Sequence, residues 1–283
     1  MPIRNIYLED IPLDEARSHW DKLLLTHGLS SPLGGEEVDI KLCLGRVTAK
    51  PVWAKLSSPH YHSAAMDGYA VKSTTTVSAT ETSPITLQTP TNAEYVDTGN
   101  PMPSWSDAVI PIEQVHKTST ISETNITIYK SAAPWQHVRP MGEDMVTTEL
   151  VLPAFHCLRP ADLGAIAASG HSTVNVITQP TVAIIPTGDE LVEIGTLPKP
   201  GQIIEYNSLI LSSQIKTWKA LPKCYPIVQD NKKDIKKTLL NAALNNDLII
   251  LNAGSSKGSK DFAADIISEI GEVVVHGIAV RPG

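Results

Sequence analysis

Two short apolar runs, Val182-Ala183-Ile184-Ile185 and Leu248-Ile249-Ile250-Leu251, each give way abruptly to polar residues and then to a helical pattern. Runs without alternation suit strands buried on both faces, and such strands need helices on either side. The pattern is regular from Thr181 onward. The first strand is followed by a helix over Asn207 to Leu221 with Leu211, Ile215 and Trp218 on one face, and then by a second strand over Cys224 to Val228. Asp230 is placed to cap a helix lined by Ile235, Leu239, Ala243 and Leu244; the Leu248 strand, a helix opened by Asp261 and a last strand over Glu272 to His276 follow. Strands alternating with helices imply right-handed βαβ units and a mostly parallel sheet.

In an open parallel sheet, ligands bind beyond the carboxyl ends of the strands. The segments that follow the strands are Pro186-Thr187-Gly188-Asp189-Glu190, Gln229-Asp230, Asn252 to Asp261, and Arg281. The third reads N-A-G-S-S-K-G-S-K-D, and its Gly254, Ser255, Ser256 and Gly258 carry so little bulk that backbone amides can approach an anion. It also precedes a helix N-terminus, where the peptide dipole favours negative charge. A Gly/Ser loop after a strand equally serves as a plain connection. Asp189, Glu190, Asp230 and Asp261 would repel a bare phosphate, but a divalent cation held between carboxylate and phosphate oxygens removes that objection, with Asp230 and Asp261 as its ligands. Taken singly, each of the four also fits a helix cap or a solvated turn.

The region before this repeat has a different texture. An amphipathic helix from Pro12 to Thr26, capped by Asp10, carries Leu13, Ala16, Trp20, Leu23 and Leu24 at helical spacing, and that stripe must be buried. Short Thr, Ser, Val and Ile runs broken by Pro, Gly and Asn occupy Lys55 to Pro140, as expected for a small all-β domain. Pro160 to Gly170 reads as a short helix. The expected organisation is a discontinuous N-terminal domain, 1–53 with 141–176, an inserted β domain over 54–140, and an α/β domain over 177–283. Within the β region, Asp67 stands on an Asp-Gly turn before Tyr69-Ala70-Val71. His60 and His62 have the spacing to share a metal, but no third ligand accompanies them, so they read as loop histidines.

Composition narrows the function classes. A net charge of −7 over 283 residues offers no general attraction for nucleic acid or an anionic membrane. No run approaches the length of a bilayer span, and the N-terminus lacks a basic region followed by an apolar segment, which predicts a cytoplasmic protein. Cys43, Cys157 and Cys224 are widely spaced and odd in number, so all three are expected to be reduced and buried.

Seven motifs, in order, resemble the molybdopterin molybdotransferases, the family that includes gephyrin: Met66-Asp67-Gly68-Tyr69-Ala70-Val71, Asp97-Thr98-Gly99, Gly142-Glu143-Asp144, Pro186 to Leu191, Gly201-Gln202-Ile203 with Asn207, the Gly254 to Asp261 loop, and Val280-Arg281-Pro282-Gly283. The resemblance implies an α/β multidomain enzyme whose parallel-sheet domain is of the molybdopterin-binding type. It would take adenylylated molybdopterin and molybdate, cleave the phosphoanhydride with the help of Mg²⁺, and yield molybdenum cofactor and AMP. It also implies a homodimer in which Asp67 and Asp144 of one subunit meet the α/β domain of the other, and it leaves room for other molybdenum cofactor biosynthesis enzymes as partners. Thr187, Gly188, Asn207, Gly254, Ser255, Ser256, Gly258 and Arg281 would bind the nucleotide-pterin ligand, with Asp189, Glu190, Asp230 and Asp261 completing the catalytic set. Three features depart from the family: Asn252-Ala253-Gly254 replaces Ser-Gly-Gly, Arg281 replaces a lysine, and the sequence stops at Gly283 where members continue into a C-terminal β domain. The expected chain is therefore a fragment. An adenylyltransferase of the same α/β fold and a non-catalytic pterin-binding scaffold are the rival readings; the long N-terminal region with Asp67 opposes the first, and the convergent carboxylates oppose the second.

Overall fold

A computed structural model describes residues 10–119, 124–252 and 263–280. Its α-helices are α1 (Leu13–Thr26), α2 (Pro160–Ala168), α3 (Asn207–Thr217), α4 (Lys232–Ala243) and α5 (Ala263–Ile270). The chain divides into two compact units, Met1–Glu36 with Ile177–Gly283, and Glu37–Val176.

The first unit is built on the strand Thr181–Pro186, which lies between Leu221–Cys224 and Leu248–Asn252 and pairs in parallel with both. Alternation along that strand assigns each residue to one of two cores. Ala183 and Ile185 pack with Ile235, Leu239 and Ala242 of α4 and Ile266 of α5, whereas Val182 and Ile184 pack with Ile215 of α3. Both faces are thus covered, as expected for a central parallel strand. Leu248–Asn252 is only half buried, unlike the fully buried strand its unbroken apolar run suggests, because its apolar run meets the sheet partner Thr181–Pro186 on one side.

Several local expectations are corrected. Asn231 caps α4, accepting from the Asp234 amide at 2.8 Å, so Asp230 stands one residue before the cap. Pro12 precedes α1, and Asp10 lies in the short strand Asp10–Ile11, which pairs with Gly277–Ile278. The last strand therefore runs later than Glu272 to His276, and its partner is this N-terminal strand. Leu221–Cys224 likewise begins before the expected Cys224 to Val228 strand, although Thr187 still bridges to Val228. Trp218 and Leu244, expected on buried faces, are exposed, since each follows the end of its helix. In α1 only Ala16 is buried, and Leu13 and Trp20 are 54% and 47% exposed, so the single chain does not cover the whole apolar stripe. Cys43, Cys157 and Cys224 are free, but only Cys43 is buried; Cys157 lies in the loop before α2 and Cys224 ends a strand.

The second unit holds three apolar clusters. Two arise from the β-rich segment, one around Val71, Leu87, Ile126 and Ile128 and one around Ala64, Ala70, Val96 and Val109. Opposite faces of Gly68–Val71 feed the two clusters, since Tyr69 and Val71 join the first and Ala70 the second. The third cluster combines Cys43 and Val52 with Leu152, Leu158, Ile166, Val174 and Val176. At its edge Asp162 of α2 is buried. It receives the Arg159 guanidinium, the Arg159 amide and His156, which keep its carboxyl far below the ordinary range despite desolvation.

Gly68–Val71 lies between Ala93–Val96 and Ala108–Pro111 in an antiparallel sheet, with Tyr69 opposite Ile110. A Cβ on Gly68 would sit 2.1 Å from the Ile110 carbonyl oxygen, so only glycine permits this register. Gly164 in α2 has nothing within 4 Å of its added Cβ. Gly68→Ala is expected to lower unfolding free energy by about 2 kcal/mol or more through overpacking, while Gly164→Ala raises it by roughly 0.5–1 kcal/mol through helix propensity and lost unfolded-state entropy. Chemical denaturation measures both; equal midpoints would refute the steric assignment at Gly68.

Candidate active site

At the carboxyl end of the central strand, the Thr187 amide donates to the Asn252 carbonyl at 2.8 Å and the Gly188 amide to the Val228 carbonyl at 3.1 Å. These two bonds bring the ends of three neighbouring segments to one level. Gly188 has φ +157°, and an added Cβ would lie 2.9 Å from the Glu190 carboxylate and from Leu191. The chain turns at Asp189 and Glu190. Asp189 then accepts from the Asp230 amide at 3.1 Å, so two of the expected carboxylate residues are neighbours across the strand ends.

Thr187 is 2% exposed, and its hydroxyl has no hydrogen-bond partner among the described residues. A buried hydroxyl without a partner costs about 1–3 kcal/mol, and its persistence at the mouth of a parallel sheet points to a group that completes it. A second such hydroxyl belongs to Ser208, in the first turn of α3 beside Asn207. Ser208 was absent from the sequence-based set. Its amide donates to the buried Glu205 carboxylate at 2.9 Å, which gives α3 an acidic cap. The signal was present in Glu205-Tyr206-Asn207-Ser208, an acidic residue three positions before an otherwise unpaired helix amide. Asn207 itself is exposed at the start of α3.

Asp189 and Asp230 offer hard oxygen donors of the kind Mg²⁺ prefers, which fits the expected cation. Among the described residues, no group of three or more His, Cys, Asp or Glu side chains is arranged to hold a metal. Asp261, Gly254, Ser255, Ser256, Gly258 and Arg281 lie outside the described residues, so the expected phosphate loop and half of the expected metal pair do as well.

The second unit carries Asp67 and Asp144 separately. Thr98 donates both its hydroxyl and its amide to the same Asp67 oxygen, each at 2.7 Å, and these bonds lower the Asp67 carboxyl from its ordinary value. The Asp67 carbonyl accepts from the Ile112 amide, so the residue is held at both backbone and side chain while its carboxylate stays exposed. Asp144 accepts two bonds from the Arg139 guanidinium, at 2.7 and 2.8 Å, and Arg139 also binds Glu143. The amides of Gly142 and Asp144 donate to the Pro59 and Ser58 carbonyls, fixing this exposed fork. His62 uses Nδ1 to accept from the Met141 amide, a structural task.

Thr98→Val removes the larger of the two influences on Asp67, and the Asp67 carboxyl should then titrate closer to about 3.9, the ordinary aspartate value. Because the folded-state value lies below the unfolded one, the stability gained from this contact is present above about pH 4 and is lost as pH falls through the folded-state value. Carbon-detected NMR titration of wild type and Thr98→Val would test this; coincident curves would remove the Thr98 hydroxyl as a cause.

The family model described as "MoeA N-terminal region (domain I and II)" matches residues 11–170, and the model described as "Probable molybdopterin binding domain" matches residues 183–283. A protein of Methanocaldococcus jannaschii named for molybdopterin biosynthesis is 32% identical over 88% of this chain, and a molybdopterin molybdenumtransferase of a Nostoc strain is 31% identical over 90%. This chain spans 65% and 61% of their respective lengths. A molybdopterin molybdenumtransferase of Haemophilus influenzae is 30% identical over 96% of this chain and 68% of its own. The crystal structure of the molybdopterin biosynthesis MoeA protein of Pyrococcus horikoshii superimposes with a TM-score of 0.79 at 31% identity, covering 97% of this chain and 70% of that one.

Proposed function

The chain belongs to the MoeA family of molybdopterin biosynthesis proteins, and we propose that it is the substrate-binding part of a molybdopterin molybdotransferase. The reaction takes adenylylated molybdopterin and molybdate and releases molybdenum cofactor and AMP. The observation that carries this reading is the pair of buried, unpartnered hydroxyls of Thr187 and Ser208 in the unit where Asp189 and Asp230 meet. Polar ligand atoms satisfy the hydroxyls, and carboxylates that lie beside phosphates call for a cation. An adenylyltransferase of the same α/β fold would leave the match over residues 11–170 without a role.

In this proposal Asp230 and Asp261 hold Mg²⁺, which neutralises phosphate charge when bound, and Asp189 orients Asp230 through its amide. Thr187, Gly188, Asn207, Gly254, Ser255, Ser256 and Gly258 bind the nucleotide-pterin ligand. Arg281 meets an anionic oxygen as a planar fork where a lysine would act as a point charge. Glu190 completes the carboxylate set. Asp67 and Asp144, fixed by Thr98 and Arg139, act on the substrate held by a second subunit. A homodimer also gives α1 a cover for Leu13 and Trp20. We place the protein in the cytoplasm, where other enzymes of molybdenum cofactor biosynthesis are its partners. The domain division proposed is 1–53 with 141–176, 54–140 inserted, and 177–283; the separate apolar cluster of residues 43–52 with 152–176 supports the insertion, whereas residues 1–36 group with the α/β unit.

Incubation with adenylylated molybdopterin, molybdate and Mg²⁺ should release AMP, and chelation of Mg²⁺ or Asp230→Asn should cut the single-turnover rate by about 10²-fold or more, the scale of losing one electrostatic contact to the reacting groups. Unchanged rates with the fold intact by circular dichroism would dismiss the metal role of Asp230.

Mixing subunits tests the shared site. Heterodimers of Asp67→Asn with Asp261→Asn should regain activity over either mutant homodimer, because one of their two sites has both native carboxylates. Absence of recovery in a verified heterodimer would reject the cross-subunit arrangement.

A further inference from the structure

A cavity of about 230 Å³ in the second unit involves none of the residues assigned above to the ligand or the cation. It is smaller than the ~300–1,000 Å³ of drug-sized ligand sites, which sets its scale at a small molecule. Its polar walls are Glu37, Lys50, Lys55, His171, Thr173 and Asn175, and Pro51, Val52 and Val174 complete it. Thr173 and Asn175 are two residues apart in the strand Thr173–Ile177 and therefore share one face. Backbone bonds hold the walls together. The Ala49 amide donates to the Asn175 carbonyl at 2.9 Å, the Lys55 amide donates to the Ser169 carbonyl at 2.9 Å, and His171 Nε2 lies 2.9 Å from the Trp53 carbonyl oxygen. The segment that carries both lysines is thus pinned at its two ends and in its middle.

The charges on these walls limit what the cavity can take. Lys50 and Lys55 are exposed, and neither has an ion-pair partner among the described residues, in a chain whose net charge is −7. Glu37 supplies the one carboxylate of the lining. Asn175 Nδ2 donates to Glu37 Oε1 at 3.2 Å; a carboxylate only accepts, which fixes the amide orientation and leaves the buried Asn175 Oδ1 as an acceptor without a partner among the described residues. A carbonyl likewise only accepts, so His171 turns Nε2 to Trp53 as a donor and keeps Nδ1 as an acceptor when neutral. An inorganic anion would suit the two lysines but would be opposed by Glu37, and it would bring no donor to Asn175 or His171. Two positive groups and one negative group call for the opposite pattern in the ligand, two carboxylates and one ammonium, since charge-assisted bonds are the strong ones.

We propose that this cavity binds a free acidic amino acid, aspartate or glutamate, with its two carboxylates on Lys50 and Lys55 and its ammonium on Glu37. The site stands on the cavity's own walls and does not depend on the transferase reading. Calorimetry would titrate L-aspartate and L-glutamate into the chain, beside succinate and glutarate, the same two chains without the ammonium, and L-asparagine and L-glutamine, which lack the second carboxylate. At least one acidic amino acid should bind saturably, with its two comparison compounds weaker by roughly tenfold or more, the scale of one charged hydrogen bond. Lys50→Met and Lys55→Met should each weaken that binding by a similar factor, whereas Lys130→Met, at an exposed lysine outside the cavity, should leave it unchanged. Glu37→Gln removes the partner of the ammonium, so the amino acid should then lose its advantage over the plain dicarboxylate. If circular dichroism shows a lost fold in a lysine variant, Glu37→Gln and the ligand series on the unaltered chain decide. Absence of saturable binding by both amino acids, equal affinity for the plain dicarboxylate, or an equal loss in Lys130→Met would each overturn the proposal.

Discussion

The geometry of the α/β unit depends on the parallel pairing of Thr181–Pro186 with both of its neighbours. A strand in that position must be apolar on both faces, and the helices that cover it fix where its end emerges. Because pairing continues through the Thr187 and Gly188 amides, the strand end, the Val228 segment and Asn252 finish together. Polar residues that are remote in sequence thereby share one edge. Asp189 reaches the Asp230 amide for this reason, and the Thr187 hydroxyl is left buried with its hydrogen-bonding capacity unused.

The second unit solves a different problem, that of holding an acidic side chain exposed yet fixed. Gly68 brings one strand against the Ile110 carbonyl, which positions the preceding residue, and Thr98 then secures the Asp67 carboxylate with two donors on one oxygen. Arg139 does the same for Asp144 with a two-point grip, while backbone bonds to Ser58 and Pro59 anchor the turn. Neither carboxylate is buried, so the electrostatic contribution of these contacts to stability is small. Their effect is on orientation, which is what a group acting on a ligand requires.

The α1 stripe leaves Leu13 and Trp20 exposed in this chain, and the homodimer proposed above would cover them. With a net charge of −7 the protein as a whole repels anions, so any anionic ligand would be held by local donors.

The sequence by itself determined the parallel α/β unit, its helices and the placing of Thr187, Gly188, Asp189 and Asp230 at the strand ends, because apolar periodicity and Gly-containing turns report directly on which faces are buried. In the strand Thr124–Ile128 the same alternation places Ile126 and Ile128 in the core. Other features were decided only by tertiary structure. Asn231 in place of Asp230 as the α4 cap, the pairing of Asp10–Ile11 with Gly277–Ile278, and the exposure of Trp20, Cys157 and Cys224 each depend on which surface meets which neighbour. The Ser208 hydroxyl and the cavity lined by Lys50 and Lys55 were invisible for the same physical reason. A buried group without a partner, or a cavity walled by separate segments, is defined by what surrounds it, and those surroundings come from residues distant in the chain.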